Sequence, residues 1–346
     1  MTEDARPGRD LLEEVGVSVA DFRETTKTSD LGDRRDGKFY RYTPDIKLAV
    51  RVALAVNRPL LVFGPSGCGK SSLVFNLARL LGRRYYEFVV HSRSEARDLY
   101  YRFDAVRRLG EAQLGAAGIG EEREAWRNNY AFIEPGSLWW LYSPRTAKYR
   151  GSAQGAPGVR PASDPGRCPP NYSDPGSTSP STDATIPPGV LLIDEIDKAD
   201  PDFPNNLLVP LGSRQFSVEE TGDLIRLESE TPGTSAPLVV ITSNRERELP
   251  VAFVRRCVVL EIPSFSDDEL IDLAKTTFRE NGAATIDTWR RIAEALRGTR
   301  EYGQRVSPAE YLDTIKAIEL LNADSSRWKE IILRTAWTST RRDELP

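Results

Sequence analysis

Three groups of residues in this chain have the types and spacing needed to handle a phosphate chain. The first is Gly64-Pro65-Ser66-Gly67-Cys68-Gly69-Lys70-Ser71-Ser72, which fits the pattern G-x-x-x-x-G-K-S. Its glycines let backbone N–H groups converge on an anion, and a helix beginning there adds partial positive charge. Lys70 can reach β- and γ-phosphates, and the Ser71 hydroxyl can ligate Mg2+. The second group is Asp194-Glu195. Asp194 can hold the metal ion, directly or through its water, and Glu195 can orient or deprotonate an attacking water. The third is Asn244, suited to holding that water or the γ-phosphate. Together, in this order, they favour hydrolysis of a nucleoside triphosphate. ATP is the expected nucleotide. GTP stays open, because Tyr40, Tyr42 and Ile46 either line a base pocket or belong to the core.

Such residues work only if strand ends bring them together. Leu60-Leu61-Val62-Phe63 is an apolar run that ends in the glycine turn, and Leu73, Val74, Leu77, Leu80 and Leu81 mark one face of a helix over residues 70–81. Val190-Leu191-Leu192-Ile193 runs into Asp194, and Leu238-Val239-Val240-Ile241-Thr242 runs toward Asn244. Fully apolar runs of this kind suit central parallel strands. Ligands of such sheets bind at the carboxyl ends of the strands, where all three groups fall. Asp197 and Lys198 are expected to pair locally or to meet a neighbouring subunit.

Composition narrows the classes. The chain has 346 residues, 39% hydrophobic and 28% charged, with a formal net charge of −4. That balance gives no electrostatic case for nucleic-acid binding. Three widely spaced cysteines and one histidine, His91, exclude a disulfide framework and histidine-cluster metal sites and fit a reducing cytoplasm. Cys68, inside the glycine loop, reads as a small space-filling residue. No apolar run approaches the length of a membrane span.

Residues 1–37 are polar and read as an N-terminal arm. Thr43-Pro44 opens a helix to Val56. Tyr85–Val90 reads as a strand, a helix is expected from Ser92, and residues 100–130 read as broken helices. The aromatic run Phe132–Tyr142, with Trp139 and Trp140, reads as a buried element. Residues 151–188 hold nine of the 24 prolines and are expected to form a flexible loop, so that removing 155–184 leaves folding intact. A short helix is expected over Phe203–Leu211, a β-hairpin around Gly222, and a further strand over Val258–Ile262. From residue 264 the pattern is helical, with capping boxes at Ser266–Glu269 and Ser307–Glu310. The expected fold class is α/β: a P-loop parallel sheet flanked by helices over residues 38–263, with a β-hairpin insertion, then a small α-helical lid over 264–346.

The arrangement resembles the AAA+ ATPases. Asp98-Leu99-Tyr100-Tyr101-Arg102-Phe103-Asp104, Ile193-Asp194-Glu195-Ile196-Asp197-Lys198-Ala199-Asp200 and Thr242-Ser243-Asn244-Arg245-Glu246-Arg247-Glu248-Leu249-Pro250 are similar to the MoxR group within them. The likeness covers residues 38 to about 322. It implies a homo-oligomeric, hexameric ring that binds ATP and Mg2+ between subunits and acts on a client protein. Relatives often work with a von Willebrand factor A domain partner. It also implies that Asn244 is a first sensor and that segment 94–130 is an insertion facing the pore. Arg256, with Arg255 as the alternate, would reach into the neighbour's site, where such an arginine is worth about 10³- to 10⁵-fold in rate. One departure stands out. The basic second sensor expected just after Ser307-Pro308 is replaced by Ala309, and Arg305 is the nearest basic residue.

Two classes of function follow. One is an ATP-driven remodeller of a client. The other is an ATP-controlled switch or assembly scaffold with slow hydrolysis. A nucleic-acid motor is disfavoured by charge and by the lack of a recognisable binding module.

Overall fold

The computed structural model describes residues 40–116, 125–154, 156, 158–168, 188–228, 236–278, 282–298 and 306–335. The expected N-terminal arm, the remainder of the Pro-rich segment beyond Cys168, and Arg305 lie outside them.

Helix α1 (Pro44–Val56) starts where Thr43 accepts a hydrogen bond from the Ile46 N–H, with proline at the first position. It ends at Asn57, whose left-handed φ of 53° turns the chain into β1 (Leu60–Phe63). The glycine loop and α2 (Lys70–Leu80) follow, then β2 (Tyr85–Val89). The expected helix at Ser92 begins later, as α3 (Ala96–Tyr100). Residues 91–94 instead form a turn in which the Ser94 hydroxyl accepts the His91 N–H, and Glu95 and Asp98 build a capping box. Next come β3 (Tyr101–Phe103), α4 (Ala105–Ala116), β4 (Ile133–Pro135), α5 (Ser137–Tyr142) and α6 (Pro144–Lys148). Beyond β5 (Val190–Asp194), the helix expected over 203–211 divides at Leu207 into α7 (Asp202–Asn206) and α8 (Leu208–Ser213). Pro210 lacks the N–H that one continuous helix would use, whereas Pro204 sits in the first turn, where that N–H has no partner. The hairpin is β6 (Gln215–Val218) and β7 (Asp223–Arg226), turning through Gly222 at φ 76°. Then follow β8 (Leu238–Ser243), α9 (Val251–Val254) and β9 (Val258–Glu261). The last elements are α10 (Asp267–Phe278), α11 (Ala283–Gly298), α12 (Pro308–Leu320) and α13 (Trp328–Thr335).

Five strands make one parallel sheet in the order β2-β5-β8-β1-β9. Side-chain alternation splits its apolar residues between two cores. Leu61, Phe63, Leu191, Ile193, Val239 and Ile241 face one, which also holds Trp139, Trp140 and Phe216. Leu60, Val62, Val190, Leu192, Leu238 and Val240 face the other, against α1 and α2. Both faces are covered, so the central strands carry no polar face. Trp139 and Trp140 are buried and serve packing. The four C-terminal helices share a third core of Trp289, Ile292, Leu296, Tyr311, Ile315 and Ile332.

Within the segment expected as a flexible loop, residues 158–168 are mostly exposed yet are pinned at Asp164 and Arg167. Arg167 exchanges two backbone hydrogen bonds with Tyr85 at 2.8 and 2.9 Å, extending the β2 edge of the sheet. Asp164 pairs with Arg84 and accepts the Gly166 N–H, while Ala162 is buried in the core that holds Trp139. An open sheet edge has unpaired N–H and C=O groups that favour such a cover, and composition carries no trace of that pairing.

Candidate nucleotide site

Gly67 and Gly69 adopt φ of 76° and 94°, the left-handed region that glycine enters without a side-chain clash, where the chain turns after β1. A Cβ on Gly67 would sit 2.9 Å from the Cβ of Ser307, so the loop and the start of α12 are in direct contact. Ser307 caps α12 through Glu310, and Ala309 is exposed in its first turn. The ring of Tyr40 lies against Gly69. The Tyr42 hydroxyl donates to Asn76 at 2.7 Å. Ile46 is buried in the core. Cys68 is buried too, and burial pushes its thiol up from its ordinary value, with Lys70 opposing.

Two linked hydrogen-bond groups join the strand ends. In the first, Ser71 Oγ lies 2.8 and 2.9 Å from the Asp194 carboxylate oxygens. Thr242 Oγ1 donates to Asp194 Oδ1 at 2.5 Å and accepts the Glu195 N–H at 2.8 Å. Thr242, at the end of β8, is a site residue that the apolar pattern conceals. Its β-branched body suits a buried strand, and only the register of β5 against β8 reveals that its hydroxyl meets Asp194.

In the second group, Lys70 Nζ donates to Asn244 Oδ1 at 2.6 Å and to the carbonyls of Gly64 and Pro65 at 2.8 and 2.9 Å. Asn244 Nδ2 donates to Glu195 Oε1 at 3.3 Å. Glu195 sits in left-handed backbone, φ 60°, just past β5. Lys70 and Asp194 are buried, so their hydrogen bonds act in a medium where they count for more than in water.

Asp197 and Lys198, expected to pair locally or to meet a neighbouring subunit, each find a different partner within the chain. Asp197 is 2% exposed, and its Oδ2 accepts the backbone N–H groups of Asn244 and Glu246 at 3.0 and 2.9 Å. It thereby fixes the turn that carries Asn244. Lys198 donates instead to Glu195 Oε2 at 2.6 Å. Arg245, φ 61°, ties the same turn to β9 through two hydrogen bonds to Glu261 at 2.8 and 3.1 Å and covers the Phe63 ring.

Arg255 and Arg256 stand elsewhere. Val258 is level with Leu60 and Glu261 with Phe63, so both arginines precede β9 at the amino end of the sheet. At ~3.3 Å per strand residue, that end lies on the order of 10 Å from the strand tips bearing the glycine loop. Arg58 donates to the carbonyls of both arginines, leaving their side chains exposed. Among the described residues, neither guanidinium has a hydrogen-bond or ion-pair partner.

This arrangement offers a glycine turn at a strand tip, a lysine, a hydroxyl beside a carboxylate, and a second carboxylate held by an amide. It can bind a phosphate chain with its metal and present a water to it. The chain matches the family model described as an AAA domain of the dynein-related subfamily over residues 59–134 and 171–257. It is 37% identical to protein NorQ of Paracoccus denitrificans (strain Pd 1222) over 68 residues. That stretch is 20% of this chain and 25% of NorQ. Two mutant structures of RuvB from Thermotoga maritima superpose on 84% of this chain at TM-scores of 0.42 and 0.41 with 15% identity, covering 67% and 66% of those chains. A likeness that loose adds nothing to the argument. The glycine loop at the tip of β1, the Asp-Glu pair at β5, the asparagine after β8, the strand order and the domain match agree: the chain is similar to AAA+ ATPases of the MoxR type.

Proposed function

We propose that the chain binds ATP with Mg2+ between copies of itself in a ring and couples hydrolysis to remodelling or activation of a client protein. The observation that carries this reading is the continuous link Lys70–Asn244–Glu195 across the ends of β1, β8 and β5. Ser71 and Asp194 supply a hydroxyl and a carboxylate side by side, hard oxygen donors of the kind Mg2+ takes alongside phosphate oxygens and water. Bound there, the ion would neutralise charge on the phosphates. Thr242 donates to Asp194 Oδ1 and so fixes that carboxylate beside the Ser71 hydroxyl. Gly64 to Ser72 wrap the phosphates, and Lys70 exchanges its carbonyl partners for phosphate oxygens. Asn244 orients the γ-phosphate or the attacking water, and Glu195 accepts the proton of that water.

Arg256, or Arg255 in its place, serves the neighbouring copy, since it lies at the far end of the sheet from its own glycine loop. A guanidinium there stabilises charge on the transferring phosphoryl group. On this reading residues 38–263 form the nucleotide-binding unit and 264–346 the lid, working in the cytoplasm. A von Willebrand factor A domain protein is the default partner. Among the described residues, no helix is long and apolar enough to cross a membrane.

A second reading, the slow ATP-controlled switch or scaffold, is favoured by one observation. The lid helix touches the glycine loop through Ser307, yet presents Ala309 where a basic side chain would contact phosphate. The deciding experiment is ATP turnover per subunit against protein concentration, with Arg256→Ala alongside. Specific activity that climbs with concentration in wild type, and stays flat in the variant, supports the ring ATPase. ATP binding without turnover at any concentration moves the conclusion to the switch.

A further inference from the structure

We propose that Arg58 is a positioning residue for the arginine that crosses to the neighbouring copy, gripping from within its own chain the turn that carries Arg255 and Arg256. The inference rests on one of those two arginines completing the neighbour's site. A guanidinium that meets a transferring phosphoryl group must arrive accurately, since a misplacement of ~1 Å can cost on the order of 10²-fold in rate. Two exposed side chains have no such accuracy of their own. The backbone beneath them has to supply it.

That backbone is short of internal support. Helix α9 is four residues long, and Arg255 and Arg256 follow it directly, before β9 starts at Val258. The N–H groups of Arg255, Arg256 and Cys257 return to the carbonyls of Val251, Phe253 and Val254. The carbonyls at such a helix end have no acceptor role left within the helix. Arg58 takes up two of them. Its Nε donates to the Arg256 carbonyl at 3.0 Å, and its Nη2 donates to the Arg255 carbonyl. A guanidinium is a rigid planar fork. Two successive carbonyls on one fork fix the orientation of the turn as well as its distance.

Arg58 is itself a firm post. Leu60 pairs with Val258 in the parallel register of β1 and β9, so two residues earlier Arg58 is level with Arg256. The Arg58 N–H donates to the Ala53 carbonyl at the end of α1, at 3.1 Å. Before it, the Asn57 carbonyl accepts from Arg214 Nη2 at 3.0 Å. After it, Pro59 has its φ set by the ring, and its carbonyl accepts the Val258 N–H at 2.8 Å. The clamp therefore ties the arginine turn to the sheet and to α1. It lies at the far end of β1 from the glycine loop. It thus acts on the neighbour's chemistry and not on the nucleotide of its own chain.

The test is steady-state ATP turnover of the full chain, wild type against Arg58→Met and Arg58→Lys, at a protein concentration where specific activity has levelled off. Methionine keeps an apolar stem and removes both donors. Lysine keeps the charge but replaces the fork with one ammonium. Losing two exposed hydrogen bonds should lower kcat about five- to tenfold in Arg58→Met, with KM for ATP unchanged. Arg58→Lys should fall between that variant and wild type. In an Arg256→Ala background, or Arg255→Ala if that arginine crosses, Arg58→Met should lower turnover no further, because nothing is left to position. A merely structural residue would add its loss in that background, and such an added loss overturns the proposal. A wild-type kcat for Arg58→Met, or a changed KM, overturns it as well. So does a loss as large as that of Arg256→Ala, which would mean that Arg58 itself meets phosphate. If either Arg256→Ala or Arg255→Ala abolishes turnover while Arg58→Met leaves it unchanged, only the clamp falls. If neither alanine variant changes turnover, the crossing arginine falls and the clamp with it.

Discussion

The two ends of the central sheet are built on opposite principles. At the carboxyl end, Lys70, Ser71, Asp194, Thr242, Asn244 and Glu195 are joined in a network of hydrogen bonds between 2.5 and 3.3 Å. At the amino end, Arg255 and Arg256 have their carbonyls held by Arg58 and their guanidinium groups left in solvent. One end is satisfied within the chain, and the other presents charge outward. On the proposed reading, the glycine loop on one edge and the arginines on the other, without a side-chain partner among the described residues, would meet head to tail. Contacts of that type close into rings when the rotation allows. The cradle's order is intramolecular, whereas among the described residues no carboxylate meets either guanidinium.

The sharpest way to break this comparison is Arg256→Ala, expected to lower turnover about 10³-fold or more while ATP still binds. If Arg255→Ala has that effect instead, the alternate arginine is the one that crosses. If neither variant changes turnover, the amino end has no catalytic part. Next in size is Glu195→Gln at the opposite end. It should retain ATP binding and lose turnover by about 10²- to 10⁴-fold, measured by phosphate release. A smaller effect concerns the sheet edge. Removing residues 155–184 takes away the Arg167–Tyr85 pairing and the Asp164–Arg84 contact. It should destabilise the chain by about 2 kcal/mol, one per lost backbone hydrogen bond, in a denaturant titration. An unchanged midpoint would restore the flexible-loop expectation for the whole segment. The mildest is Ser307→Ala, which removes the cap of the lid helix at its contact with Gly67. A loss of about 1 kcal/mol is expected, and a larger fall in ATP affinity would show that the lid helix start takes part in binding.

Cysteine labelling compares the two ends without mutation. Cys68 lies in the glycine loop and Cys257 beside Arg256, and both are buried, whereas Cys168 is exposed. Burial pushes the Cys257 thiol up to about 12. Mass spectrometry after brief alkylation at neutral pH should find the label on Cys168, because a buried, protonated thiol is a poor nucleophile. Early label on Cys257 would mean that the amino end opens in solution.

The strands bearing the chemistry were legible in the chain because each is a run of apolar residues stopped by a glycine or a polar residue. Leu60–Phe63, Val190–Asp194 and Leu238–Ser243 fall where those runs lie. The helix starts at Thr43 and Ser307 were legible as well, since a cap is a local hydrogen bond whose partners are three residues apart. The same locality explains the glycine loop, where the conformation follows from residues that need no distant contact.

What the sequence by itself determined is therefore the set of local elements and the residue types at their ends: the cradle, the Asp194-Glu195 pair, Asn244 and the hairpin at Gly222. Tertiary structure alone decided how those ends are wired. Thr242 reaches Asp194 because β5 and β8 are neighbours in register. Asp197 turns inward to hold the Asn244 turn, and Lys198 turns to Glu195. Arg167 closes the edge of β2, and Ser307 rests on Gly67. Each of these contacts joins residues by side-chain direction and strand order, which depend on how the whole sheet packs. Hydrophobic pattern records which face is buried but not which polar group waits on the other side.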